Sequence, residues 1–330
     1  MSGEEIQSRS LVNGNARYLL AVVALVVAAV LPQQLGSFGR FIGASILLLA
    51  IYGISYDLLY GYAGLTSFGH AAFFGIGAYG VAVALRDVGV GVLGSLGLAF
   101  LLSGVMALAL GYIAVRVAEN AFVIVTILIV LVANLIANTW TGVTGGSDGF
   151  TVLVPAIEIG NLVAFPMFNA LNQYYLALLA FVLSFLVLHR LVQSPIGLTL
   201  KMIRENEQRA RMLGYNVRRY KLGVFVVSGM FAGLAGGLNV IVNAYVSAAE
   251  FSIVRSADPV IYTIVGGQGT LFGAVFGAIL VGFMDFQLSQ FTDAYPMIIG
   301  AILVLVVLTD PDGLIGMSKR LKDWYTDDED

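Results

Sequence analysis

Apolar blocks, most of them close to 20 residues long, recur along nearly the whole chain. They fall near 18–36, 41–60, 68–86, 90–113, 120–140, 172–190, 219–241, 270–287 and 291–309. Blocks of that length match the roughly 30 Å of hydrocarbon that a single helix must cross. In lipid the backbone N–H and C=O groups find no water, so segments this long must satisfy them internally, as helices. The pattern predicts an all-α polytopic membrane protein. Composition agrees, because 11% of the 330 residues are charged, whereas soluble chains carry about 25%.

Several function classes drop out. Seventeen basic residues and a net charge of −3 leave no general nucleic-acid footprint. Without cysteine there is no disulfide, thiol nucleophile or thiolate metal site. His70 and His189 cannot build a His-rich metal centre. No G-x-x-x-x-G-K-[ST] loop occurs, so the chain does not hold ATP in that way. Energy must come from an ion gradient or a partner. No catalytic residue, metal ligand or cofactor of its own is expected.

A shorter apolar block at 256–265 precedes the break Gly266-Gly267-Gln268-Gly269, and reads as a short span or a re-entrant half-helix. Charge then orients the chain. Arg190 to Lys221 holds eight of the 17 basic residues, which marks that loop as cytoplasmic. Lys319, Arg320 and Lys322 place the tail on the same side, as Arg9 and Arg17 do the amino end. The basic start followed by Tyr18 to Leu31 resembles a secretory signal, but no small-x-small cleavage site closes it, and it reads as a first span. Six spans before the loop and four after it satisfy all three placements. About ten transmembrane helices are therefore expected, with nine possible if 256–265 does not cross. The organisation reads as a cytoplasmic segment 1–17, a transmembrane domain 18–310 containing the cytoplasmic loop 191–218, and an acidic cytoplasmic tail 311–330.

Glycine is periodic in two spans, as Gly229, Gly233 and Gly237 and as Gly269, Gly273 and Gly277. Small residues on one helical face let backbones pack closely in a membrane. A second glycine-rich stretch, Gly61 to Tyr79, joins two apolar blocks and contains Ser67 and His70. Broken helices of this kind often frame substrate sites, so Gly64, Ser67, His70 and Tyr79 are candidates for the transport route, with packing or turn structure as the competing reading. Asp57 is the only charge between Arg40 and Arg86. It faces either a polar cavity or an interfacial belt made with Tyr52, Tyr56 and Tyr60.

The cytoplasmic loop is the most informative segment. Ser194 suits an N-cap, Pro195 a first helical residue, and Gly214 a stop. Ile196, Leu200, Ile203, Ala210 and Leu213 keep a three-to-four spacing, which predicts one or two short amphipathic helices on the membrane face. Basic residues would hold such a loop to anionic lipid. The admixture of Glu205 and Glu207 favours docking to a cytosolic partner instead.

These motifs resemble the branched-chain amino acid ABC transporter permeases, the LivM-like half in particular. Gly61 to Tyr79 carries the closest likeness. Thr144 to Gly149, Ser194 to Gly214, Gly266 to Thr270 with Gly273, and Pro311 to Gly316 follow in the family's order, so the likeness spans about 40 to 316. The resemblance implies a subunit in the plasma membrane of a prokaryote, both ends cytoplasmic, paired with a LivH-like permease. It implies two cytosolic ATPases, which bind ATP and Mg, and an extracytoplasmic solute-binding protein. Leucine, isoleucine and valine are the implied substrates, with urea or short amides as the alternative. Arg204, Glu205, Asn206, Glu207, Arg209, Ala210 and Leu213 fall in the segment that contacts an ATPase in such permeases. Asp57 stands where relatives often have Asn, and Arg116 to Phe122 departs from the usual entry into the next span. An ion-driven secondary transporter is the rival class, with Asp57 its sole fair carboxylate.

Overall fold

A computed structural model describes residues 26–159, 163–292, 294–309 and Gly313. The segments 1–17 and 311–330, with their basic and acidic ends, lie outside the described residues apart from Gly313, and so does Asp293. The first apolar block is described from residue 26, as helix α1 over 26–34. The chain continues through α2 (Ser37–Asp57), α3 (His70–Val83), α4 (Val92–Ala114), α5 (Glu119–Thr139) and the single turn α6 (Thr141–Thr144). It then enters α7 (Ala170–Gln193), α8 (Pro195–Glu205), α9 (Glu207–Met212), α10 (Val217–Asn243), α11 (Ile253–Gly266), α12 (Leu271–Leu288) and α13 (Tyr295–Thr309). Two minor antiparallel strand pairs complete it: β1 (Phe150–Thr151) with the distant β4 (Tyr245–Val246), and β2 (Ile157–Ile159) with β3 (Val163–Phe165). The chain is a helical, multi-pass membrane protein.

Seven described helices are long and apolar enough to cross a bilayer: α2, α3, α4, α5, α7, α10 and α12, the first two each extended by a π-helical turn. The block expected at 256–265 is α11, 14 residues with Pro259 inside it. At 1.5 Å per residue it rises about 21 Å, too little to cross alone. A 3₁₀ turn, Ala248–Phe251, precedes it and packs against α3 and α5. The glycine break then reverses the chain through Gly267 and Gly269, both at positive φ, into α12.

Burial divides the helices into an inner and an outer set. α2 and α10 bury 78% of their most apolar stretch within the protein, and α5 only 22%, so α5 spends its apolar side chains on the surroundings. The inner set, α2, α3 and α10, packs through small residues. A Cβ on Gly77 would strike the backbone of Gly233, and one on Gly236 the backbone of Phe74. The stripe on α12 works in the same way, with Gly273 and Gly277 lying against the backbone of α11. Close approach of this kind gives dispersion contact in a solvent that offers no hydrophobic drive between helices.

Candidate functional site

The predicted loop helices form. Ser194 Oγ accepts from Ile196 N–H (3.2 Å), and Pro195 opens α8. Asn206 breaks the apolar ridge and restarts it, because its Oδ1 accepts from Arg209 N–H (2.8 Å) and caps α9. Glu207 then bonds Arg211 on its own helix and Lys221 on α10, the latter at 2.5 Å. Burial pushes the Glu207 carboxyl up, but Lys221 and Arg211 outweigh it and hold the group below its ordinary range. Ala210 is buried with Ile203 and Val217. Glu205, Arg209, Met212 and Leu213 stay exposed. Beside this hairpin a cavity of about 520 Å³ is lined by Arg116, Arg211, Arg218, Lys221 and Glu207 among others.

Arg204, though partly exposed, reaches from the hairpin to the end of the inner helices. Its guanidinium donates to the carbonyl of Gly61, and its aliphatic stem covers Gly64, whose φ of +71° suits glycine. Gly61 in turn lies so close to Gly269 that a Cβ would meet both Gly269 and Asp57. Asp57 is fully buried at this crossing, and its Oδ1 accepts from Gly269 N–H at 2.7 Å. The carboxylate thus binds one helix break to another, and neither an open cavity nor an exposed tyrosine belt is where it sits. Gly313 reaches the same turn, with Ile264 and Gly267 as its neighbours.

Ser67 and His70 lie deeper. Ser67 Oγ accepts from Gly69 N–H (3.1 Å), which helps start α3 inside the protein. His70, fully buried, places Nε2 3.1 Å from Ser55 Oγ and 3.2 Å from Ser228 Oγ, so one imidazole joins α2, α3 and α10. Tyr56 and Phe73 meet its ring edge to face. Tyr79 belongs to the opposite end of α3, where its hydroxyl donates to Thr144 O (3.1 Å) and its ring stacks on Phe251. The five candidate route residues therefore form no single site. Asp57 and Gly64 sit at the α8 end, Ser67 and His70 in the middle, and Tyr79 at the far end.

Sequence reasoning passed over a second polar cluster at that far end. Arg255 Nε lies 3.5 Å from Glu250 Oε2, Arg255 Nη1 donates to Asp258 at 3.3 Å, and the guanidinium covers the Phe74 ring at 4.5 Å. Asn239 Nδ2 donates to Glu250 Oε1 at 3.0 Å. Asn239, Glu250 and Arg255, with Asn243, Tyr245 and Ala249, line a cavity of about 470 Å³. The available signal is three charges within nine positions, Glu250, Arg255 and Asp258, shortly before the glycine break. Among the described residues no group of three His, Asp or Glu side chains is placed to hold a metal ion.

Residues 40–307 match the family model described as the branched-chain amino acid transport system / permease component. The chain belongs to that family. It is 27% identical to the high-affinity branched-chain amino acid transport system permease protein LivM of Escherichia coli (strain K12), across 97% of this chain and 80% of that one. BraD of Pseudomonas aeruginosa, named as a permease of the same kind of system, is 26% identical over 86% of this chain and 95% of its own. LivH of E. coli K12, a further permease of that description, is 24% identical over 81% and 91%. No solved structure matches.

Proposed function

We propose that this chain is the LivM-like transmembrane subunit of an ATP-driven importer of leucine, isoleucine and valine, working by alternating access beside a LivH-like permease. The carrying observation is the contact from Arg204 to Gly61, which joins the α8–α9 hairpin to two helix breaks at the end of the inner helices. A push on the hairpin from outside the membrane has a rigid route inward. The eight basic residues of Arg190 to Lys221 support a cytoplasmic position for it, in the plasma membrane of a prokaryote with both chain ends on the cytoplasmic side.

In this reading two cytosolic ATPases bind ATP and Mg and engage Glu205, Arg209 and Leu213, which are exposed. Arg204, Asn206, Glu207 and Ala210 shape the hairpin and hold it to α2 and α10. Asp57, Gly64, Ser67, His70 and Tyr79 govern how the inner helices repack around the route. An extracytoplasmic solute-binding protein delivers substrate at the far end. Coupling requires that ATPase closure and substrate release favour different packings of the same helices. The chain itself performs no covalent chemistry.

Affinity capture of the tagged chain from its native host should recover a second permease and ATP-binding subunits, and proteoliposomes of that complex should import leucine when supplied with ATP and the loaded binding protein. Arg204→Ala should keep the ATPases bound while import per ATP hydrolysed falls about ten-fold, the cost of a charge-assisted hydrogen bond. A solitary chain that takes up substrate on an ion gradient would overturn the assignment. So would full coupling in Arg204→Ala.

A further inference from the structure

The polar cavity at the far end carries a further assignment, resting on the import reading above. Glu250 and Arg255 are set side by side with side chains only 17% and 24% exposed, so each is largely stripped of water while still lining the cavity. They do not close on one another. Their 3.5 Å separation exceeds the 2.7–2.9 Å usual for charge-assisted N–H···O bonds, and Arg255 Nε has no hydrogen-bond partner among the described residues. Both are fixed from behind. Asn239 orients Glu250, while Asp258, the Phe74 ring and the hydrogen bond from Tyr52 to the Arg255 carbonyl hold Arg255. One cation and one anion are thus presented, prepositioned, to a cavity within the size range of small-molecule sites.

We propose that this cavity is a transit site for the zwitterionic head of an α-amino acid. Arg255 takes the α-carboxylate, and Glu250 takes the α-ammonium together with the side-chain oxygens of Asn239 and Asn243. A neutral ligand bearing both charges replaces a loose internal ion pair with two closer ones, so neither ion is left unpaired when the ligand moves on. The apolar side of the lining is made by Ala249, the Tyr245 ring and the carbon stems of the polar residues, with no aliphatic Leu, Ile or Val side chain to enclose that of a leucine or valine ligand. The site therefore reads the head group shared by all α-amino acids and leaves side-chain choice to other parts of the system. Urea and short amides, which carry neither charge, are poor ligands for it.

The test uses the complete complex of permeases and ATPases in nanodiscs without the binding protein, and ligand-observed saturation-transfer NMR. Leucine, 3-methylbutylamine (no carboxylate), 4-methylpentanoate (no ammonium) and urea are the probes. Leucine should bind at least about ten-fold more tightly than either half-ligand, and urea should give no transfer. Glu250→Gln should weaken leucine and the amine about ten-fold, while 4-methylpentanoate, freed of a competing carboxylate at the guanidinium, binds no less tightly than before. Arg255→Gln should show the reverse selectivity. If Arg255→Gln fails to assemble, Asn239→Ala tests the ammonium arm with the guanidinium in place. Loss of all probes together, or of none, in Glu250→Gln overturns the site, since a purely structural ion pair has no reason to distinguish amine from acid. Leucine import by the wild-type importer is measured in parallel. Import without the charge-specific pattern defeats this site alone, whereas absence of import defeats the amino-acid reading and this site with it.

Discussion

At the α8 end of the inner helices, Asp57, Gly61, Arg204 and Gly269 meet with no room for a single added methyl at Gly61. At the far end, Glu250 and Arg255 lie side by side, 3.5 Å apart, on the wall of a cavity of about 470 Å³. Both ends use charge at a helix break. In one, a carboxylate is spent on a backbone N–H and a guanidinium on a carbonyl, which makes a stiff joint. In the other, the two ions retain capacity for a third party. Transmission of force needs the first arrangement and passage of a solute needs the second, so in the proposed cycle the two tasks are separated by the length of a helix.

The sharpest way to break the contrast is to put bulk into the tight end. Gly61→Val should abolish recovery of folded subunit from membranes, because its side chain would have to displace Asp57 and the Gly269 backbone together. The corresponding change where space is open, Gly142→Val, should leave yield unchanged, since a Cβ there meets nothing within 4 Å. Equal yields, measured by size-exclusion chromatography in detergent, would show that the tight joint is not rigid.

Asp57 separates the role of an acceptor from that of a charge. Asp57→Ala leaves the Gly269 N–H buried without its partner and should cost about 1–3 kcal/mol in equilibrium unfolding in mixed micelles. Asp57→Asn keeps an oxygen that can accept from the Gly269 N–H and should cost less than Asp57→Ala. Wild-type uptake by Asp57→Asn would also remove the ion-driven rival, which needs the carboxylate.

The smallest effect is expected on the outer surface of the hairpin. Glu207→Gln weakens a partly exposed pair of ion contacts and should cost under about 1 kcal/mol. Because Lys221 and Arg211 hold the Glu207 carboxyl below its ordinary value, its contribution is complete above that value and fades as pH falls through the depressed one. The difference between wild type and Glu207→Gln should therefore shrink on acidification below the ordinary carboxylate range. A difference that persists there would mean that the carboxylate is not the group involved.

What the sequence made legible was local. Ser194, Pro195 and Gly214 mark helix ends by their own backbone and side-chain preferences, and the structure puts α8 and α9 between them. Four-residue glycine spacing likewise announces a packed face without naming its partner. Pairings between distant segments were not legible, because nothing local to Arg204 points to Gly61 and nothing at Asp57 points to Gly269. Arg255 illustrates the limit most clearly. As one basic residue in a connection it counts only toward topology, and its meaning comes from Glu250, Asn239 and Phe74, which folding gathers around it. The length of α11 was visible in the glycine break, but its reliance on the 3₁₀ turn before it was not.

The division between inner and outer helices bears on how such a chain is made. α5, the most apolar of the seven long helices, exposes one large side chain after another, among them Ile124, Leu128, Leu131 and Leu135. It can rest in lipid as soon as it leaves the ribosome and its insertion machinery. α2 differs, for Asp57 is buried within the protein and its partner, the N–H of Gly269, is synthesised more than two hundred residues later, whereas His70 already has Ser55 of α2 beside it. Between those moments the nascent chain holds the Asp57 carboxyl without that partner, so the arrival of the Gly269 turn and α12 is the step that completes the inner set.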